Sequence, residues 1–184
     1  WTLSSFAMQM ALVVLTGFLV STAPPVDRLF RAVARLAGPP ARAVTLMAVV
    51  SMALAWLHWG LSLIGSAMLV RHIVRQQPRV DFRLLVTAAY LGMGATWHAG
   101  MSGSVPLLMA TPGHFLEATT GRVPLSATTF APFNLVLSLL VFVVMAGVVW
   151  WMHPPADQAV RVSNDGLDDL ERFEPPPAPT ERSF

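Results

Sequence analysis

Gly100-Met101-Ser102-Gly103-Ser104-Val105-Pro106, followed by Thr111-Pro112-Gly113, lies inside a run from residue 84 to residue 116 that contains no Asp, Glu or Arg. A run of that length and polarity belongs in a bilayer, yet the glycine, serine and proline in its middle are residues that stop helices. Hydrocarbon offers no partner to a free backbone N–H or C=O. A helix interrupted at that depth is therefore tolerated only where it is buried in protein or lines a wet cavity. Interruptions of this kind build binding sites in secondary transporters.

The rest of the composition agrees with a membrane setting. The 184 residues are 54% hydrophobic and 12% charged, against roughly 25% charged for an average soluble domain. Four uncharged stretches, 1–25, 43–70, 84–116 and 123–156, each exceed the ~20 residues that cross a bilayer. There is no cysteine, which removes disulfide and thiolate chemistry. All 12 basic residues are arginines. They cluster at the edges of the apolar stretches, as orientation signals do, and form no stripe for nucleic acid. The chain opens at Trp1 without an initiator Met and reads as a piece of a longer protein.

These features predict an all-α polytopic membrane protein. Residues 1–23 form a first transmembrane helix, stopped by the Pro24-Pro25 pair. Residues 24–42 hold an interfacial amphipathic helix, with Val26, Leu29, Phe30, Val33 and Leu36 on one arc and Arg28, Arg31 and Arg35 on the other. Residues 43–70 lie between two loops that each carry four arginines, so a single crossing would put one cluster outside. A re-entrant hairpin of two half-depth limbs, turning near Trp56 to Gly60, keeps both inside. Residues 71–83 are then a cytoplasmic basic loop.

Residues 84–118 form a discontinuous transmembrane helix, running to about Trp97, broken at 100–104, and resuming with Ser104 as N-cap to about Ala118. An arginine-poor outside loop (119–129) leads to a last transmembrane helix (130–152). Residues 153–184 are acidic and proline-rich, and are expected to be a disordered cytoplasmic tail.

The break supplies the candidate chemistry. Helix N-termini expose unpaired N–H groups that favour anions. Ser102 and Ser104 add hydroxyls, Gly103 allows close approach, and Thr111 begins a second irregular stretch. At the hairpin tip, His58, Trp59 and Gly60 are the corresponding candidates. His58 and His98 are ionisable groups at membrane depth and candidates for coupling to H+ or Na+. Each also reads as an ordinary neutral histidine, and the tryptophans as packing. No carboxylate accompanies the histidines at ligand spacing, so no metal site, cofactor or catalytic residue is expected. The Gly100 to Ser104 stretch lacks the last glycine of a G-x-S-x-G elbow, which argues against a hydrolase. A membrane-embedded assembly subunit is the other reading the residues leave open.

Phe6-Ala7-Met8-Gln9-Met10-Ala11-Leu12, the Trp59-Gly60 turn with Gly65-Ser66-Ala67-Met68, and Met101-Ser102-Gly103-Ser104-Val105-Pro106-Leu107-Leu108 with Ala110-Thr111-Pro112-Gly113 resemble the bacterial short-chain fatty acid transporters. The resemblance extends from residue 6 to residue 153. It implies symport of small monocarboxylates across the bacterial inner membrane, by a carrier of two inverted halves that each pair a re-entrant hairpin with a broken helix. This chain would be one half, with the second half missing and the oligomeric state, a homo-oligomer included, left open. Two positions depart from the family pattern: His58 stands where Asn is usual, and His98-Ala99 replaces glycines.

The charge argument is directly testable. Single cysteines at Arg31 and Arg79 should both react with an impermeant maleimide from the same side of the membrane. Labelling from opposite sides would replace the hairpin with one crossing.

Overall fold

The structure, a computed structural model, describes residues 2–163 and Gly166. Among these every regular element is helical: α1 (Thr2–Thr22), α2 (Pro24–Ala34), α3 (Pro40–Leu57), α4 (Trp59–Gln76), α5 (Phe82–Ala95), α6 (Ser104–Ala110), α7 (Glu117–Thr120) and α8 (Pro132–Met152), with 3-10 turns at Trp97–Ala99 and Leu125–Ala127. α3 and α8 are each long and apolar enough to cross a membrane. Ala7–Val20 and Pro24–Ala34, bent by 71°, make a third candidate if counted as one span. The all-α membrane class expected from composition is what folds.

Proline sets the joints. Pro24, Pro40 and Pro132 each open a helix at its first position, where a missing N–H costs nothing. α2 turns Phe30 and Ala34 inward and leaves Arg28, Arg31 and Arg35 exposed. Leu29 and Leu36, expected on the inward arc, are exposed instead. The last turn tightens through Leu36 N–H to the Val33 carbonyl, which rotates Leu36 off the buried face. Asp27 accepts from Arg31 at 2.5 Å and lies 3.0 Å from Nε2 of the buried His72, tying α2 to α4.

α3 and α4 are separated by one residue and lie side by side. Near the turn the Ser62 hydroxyl donates to the Ser51 carbonyl at 2.9 Å. At the far ends Gln77 donates through its side chain to the Gly38 carbonyl. Each limb has 18 residues, about 27 Å of helix. That is longer than the half-depth limbs expected from residues 43–70, because α3 starts at Pro40 and α4 continues through Arg71 and Arg75.

The core forms where α5 crosses this pair, centred on Met47, Met52, Leu69, Ile73 and Leu85. Small residues let the backbones approach, as they do between membrane helices. The Gly92 N–H donates to the Ser51 hydroxyl at 2.8 Å, and the Thr96 hydroxyl donates to the Met52 carbonyl at 2.9 Å.

Asp81 organises the opposite end. Its carboxylate caps α5 through Leu84 N–H and accepts from Val160 N–H, both at 2.8 Å, while Phe82 N–H donates to the Val160 carbonyl at 2.8 Å. Burial raises the pKa of this group, but the two N–H donors and Arg83 outweigh it and hold the carboxyl below its usual value. A depressed carboxyl stabilises the fold fully above its unfolded value near ~3.9. That contribution disappears as pH falls through the lower folded value. The segment after α8, expected to lack structure from residue 153, is thus docked as far as Val162, which packs on the core. Pro175 to Pro177 and most of the acidic tail lie outside the described residues.

A Cβ at Gly92 would meet the Ser51 carbonyl oxygen at 2.2 Å and the Ala55 Cβ at 2.8 Å, whereas one at Gly94 meets nothing within 4 Å. Gly92→Ala should therefore destabilise the protein by about 3 kcal/mol through overpacking. Gly94→Ala should be neutral or slightly stabilising. Thermal unfolding in detergent, with both variants side by side, checks this.

Candidate functional site

The two helix interruptions face each other. The first is His58, an extended residue with φ −158° and ψ 125° between α3 and α4. The second is the stretch 100–103, where the chain leaves the 3-10 turn before α6 begins at Ser104. Each interruption strands backbone groups that a continuous helix would have paired. Most of these groups find partners in the other interruption or beside it.

At the start of α4, Trp59 N–H donates to the Ser102 hydroxyl oxygen at 2.9 Å, and Gly60 N–H donates to Nδ1 of His58 at 3.2 Å. At the end of α3, the Trp56 carbonyl accepts from Met101 N–H at 2.7 Å. A Cβ on Gly100 would fall 2.2 Å from that same Trp56 oxygen, so glycine is what admits this approach. Across the break, Nε1–H of Trp97 donates to the Ser102 carbonyl at 3.0 Å. The Asn134 amide donates to the carbonyls of both Ala99 and Thr129 at 2.8 Å. The second interruption is thus held between the hairpin turn on one side and the start of α8 on the other.

Of the residues singled out in the sequence, Ser102, Trp59, Gly60 and His58 come together here. Ser102 is half-buried and His58 exposed. Gly103 is buried and supplies the cap of α6, so Ser104 is the first helical residue and not the N-cap; its side chain is exposed and makes no capping bond. Thr111 does not join the group. It ends α6, seven residues or about 10 Å of helix further on, and its hydroxyl bonds back to the Leu107 carbonyl at 2.7 Å.

α6 itself stops at Ala110, well short of Ala118. Pro112 has no N–H to give the Leu108 carbonyl, which accepts from Thr111 instead. Upstream, α5 ends at Ala95, and Trp97 to Ala99 form a 3-10 turn rather than a continuation of the helix.

The two histidines line different clefts. His58 opens on one of about 240 Å³ with Thr16, Gly60 and Leu61. His98 opens on another of about 270 Å³ with Pro106, Thr128 and Asn134. Each ring lies beside an indole, His58 stacked on Trp59 at 6.0 Å and His98 edge-on to Trp97 at 5.5 Å. Among the described residues no three His, Asp or Glu side chains converge as a metal-ligand set.

Sequence reasoning missed Asn134, Thr129 and the structural part played by Trp56 and Trp97. Asn134 sits in an apolar helix where an amide must have partners. That isolated polarity was the available signal.

The geometric capacity of this place is plain. The Ser102 oxygen is used as an acceptor, which leaves its hydroxyl proton to donate, and the Ser104 hydroxyl stands one residue past Gly103 at the surface. Such donors suit a small anion.

The chain matches the family model described as short chain fatty acid transporter over residues 1–175. It is 36% identical over 162 residues to a protein of Escherichia coli (strain K12) named "Putative short-chain fatty acid transporter", an alignment covering 88% of this chain and 37% of that protein. A protein of the same name from Haemophilus influenzae is 32% identical over 161 residues, covering 84% of this chain and 36% of its own length. The chain therefore spans little more than a third of these curated relatives. No solved structure matches it significantly. The family is one of transporters and not of enzymes, and its match runs through both helix interruptions: this chain belongs to the short-chain fatty acid transporter family.

Proposed function

We propose that this chain contributes the substrate-holding part of a secondary carrier for short-chain fatty acids or similar small monocarboxylates in the bacterial inner membrane. The observation that supports it most directly is the 2.9 Å bond from Trp59 N–H to the Ser102 hydroxyl, which joins the two interruptions into one unit. A carboxylate is received there by the Ser102 and Ser104 hydroxyl protons, near the positive end of the 18-residue α4 dipole. α6, with seven residues, adds little to that field. The Trp59 and Gly60 amides are already satisfied by Ser102 and His58, so they preserve the shape of the site and are not the donors to substrate.

In this reading the arginine-rich segments 24–42 and 71–83 and the tail from 153 face the cytoplasm, 43–70 enters and leaves from that side, and 119–129 faces out. H+ or Na+ supplies the driving force, with His58 and His98 as the candidate proton carriers. Thr111, about 10 Å along α6, is outside the binding group. The further length seen in the relatives supplies the facing half of the site.

Uptake of radiolabelled butyrate into cells expressing the full-length protein tests the site. Ser102→Ala removes a hydroxyl donor and strands the Trp59 N–H, a change of ~1–3 kcal/mol that should lower uptake about fivefold or more. Thr111→Ala should stay near wild type. Normal uptake by Ser102→Ala sinks the assignment.

His58→Asn keeps a side-chain acceptor for Gly60 N–H, because Asn is a good N-cap. If His58 carries the coupled proton, this variant should fold and bind but lose the pH dependence of uptake. An unchanged pH profile would remove His58 from the coupling role.

A further inference from the structure

α1 makes none of the bonds that join the two interruptions, yet it forms one wall of the cleft that begins at the hairpin tip. That cleft, of about 240 Å³, lies between α1 and the start of α4. Val13, Thr16, Gly17 and Val20 line it from α1 at three- and four-residue steps. They therefore share one helical face about 10 Å long. His58, Gly60 and Leu61 line the other side. The helices touch here: a Cβ at Gly60 would fall 2.8 Å from a Val13 methyl carbon, and one at Gly17 would fall 2.5 Å from the end of Ile64. Val13 thus stands level with the start of α4, and Val20 lies two turns farther from the hairpin tip.

The cleft is polar at one end and apolar along the rest. At the start of α4 the His58 ring is fixed twice, by the Gly60 N–H bond to Nδ1 at 3.2 Å and by stacking on Trp59. The Ser102 hydroxyl lies next to it, on the Trp59 N–H. Beyond that end the walls are Val13, Leu61 and Val20. Thr16 contributes the one hydroxyl there, and its proton is committed to the Leu12 carbonyl at 2.6 Å. The cleft at His98 differs in kind, with Thr128, Thr129 and Asn134 in its walls. A polar end beside Ser102 that continues into an apolar slot complements a carboxylate bearing a short alkyl tail. We infer that the cleft between α1 and α4 is the subsite for the substrate's alkyl tail, with Val13, Leu61 and Val20 setting the preferred chain length. This rests on the reading above, in which the carboxylate is held at Ser102. Each methylene buried there is worth about fourfold in affinity, so closing the far half of the slot, about two methylenes, should cost a longer acid about tenfold and spare acetate.

Competition by unlabelled acetate and hexanoate against radiolabelled butyrate, in cells expressing the full-length protein, provides the test. Val20 is 51% exposed, so a larger side chain there disturbs no core. Val20→Trp should raise the hexanoate inhibition constant about tenfold relative to that of acetate, and the milder Val20→Leu should shift the ratio in the same direction by less. Leu15→Trp, on the opposite face of α1, should leave the ratio unchanged. The two readings fail separately, because Ser102→Ala acts on the carboxylate end and should weaken both acids alike, whereas Val20→Trp acts on their ratio. A measurement independent of these variants uses hexanoic acid carrying a terminal diazirine. On illumination it should label α1 between Val13 and Val20. A ratio unmoved in both Val20 variants, an equal shift in Leu15→Trp, or labelling wholly outside residues 13–20 and 58–61 would overturn the inference.

Discussion

A single constraint underlies this fold: two helices are interrupted inside an apolar bundle, and the backbone groups they strand must be paired there. The Trp59 N–H bond to Ser102 and the Met101 N–H bond to the Trp56 carbonyl meet that constraint across the two breaks. A backbone group left unpaired away from water costs about 1–3 kcal/mol, so each interruption depends on the other. The hairpin turn and the broken helix consequently behave as one structural element.

The remaining contacts make this pairing possible. Gly92 against Ser51 and Gly100 against Trp56 bring backbones closer than any side chain would allow. Ser51 takes part twice, accepting from Gly92 N–H at its hydroxyl and from Ser62 at its carbonyl, so the three helices α3, α4 and α5 share one polar centre within an otherwise apolar core. Asn134 and Thr129 secure the break from the side of α8. The arginine-rich end is held by different means: Asp27 joins α2 to α4 through His72, and Asp81 fastens residues that follow α8 to the start of α5. Both acids among the arginine clusters are therefore structural.

The membrane class, the positions of most helices and the interruption near Ser102 were legible in the sequence. Charge spacing, proline placement and glycine clustering act locally, and each leaves its mark within a few residues. The re-entrant hairpin was argued from arginine counts; what the structure adds is that α3 and α4 lie side by side across a one-residue connection at His58. The longer limbs were not legible, because α4 continues through Arg71 and Arg75 once those side chains can reach a polar edge. The docked segment at Val160 was also hidden. Its order comes from Asp81, 79 residues away, and nothing in its own composition announces that partner.

By itself the sequence determined a largely apolar, helical, proline-jointed chain with a break at Ser102, and its resemblance to a transporter family is confirmed by the match over residues 1–175. Only the tertiary structure decided which stranded groups meet: that Ser102 serves Trp59, that Gly103 and not Ser104 caps α6, that Thr111 stands apart, and that Asn134 holds the carbonyls of Ala99 and Thr129 beside the break. The reason is physical. A pattern of residue types reveals that a backbone donor or acceptor has lost its helical partner, but the replacement comes from a residue tens of positions away, and packing alone chooses which.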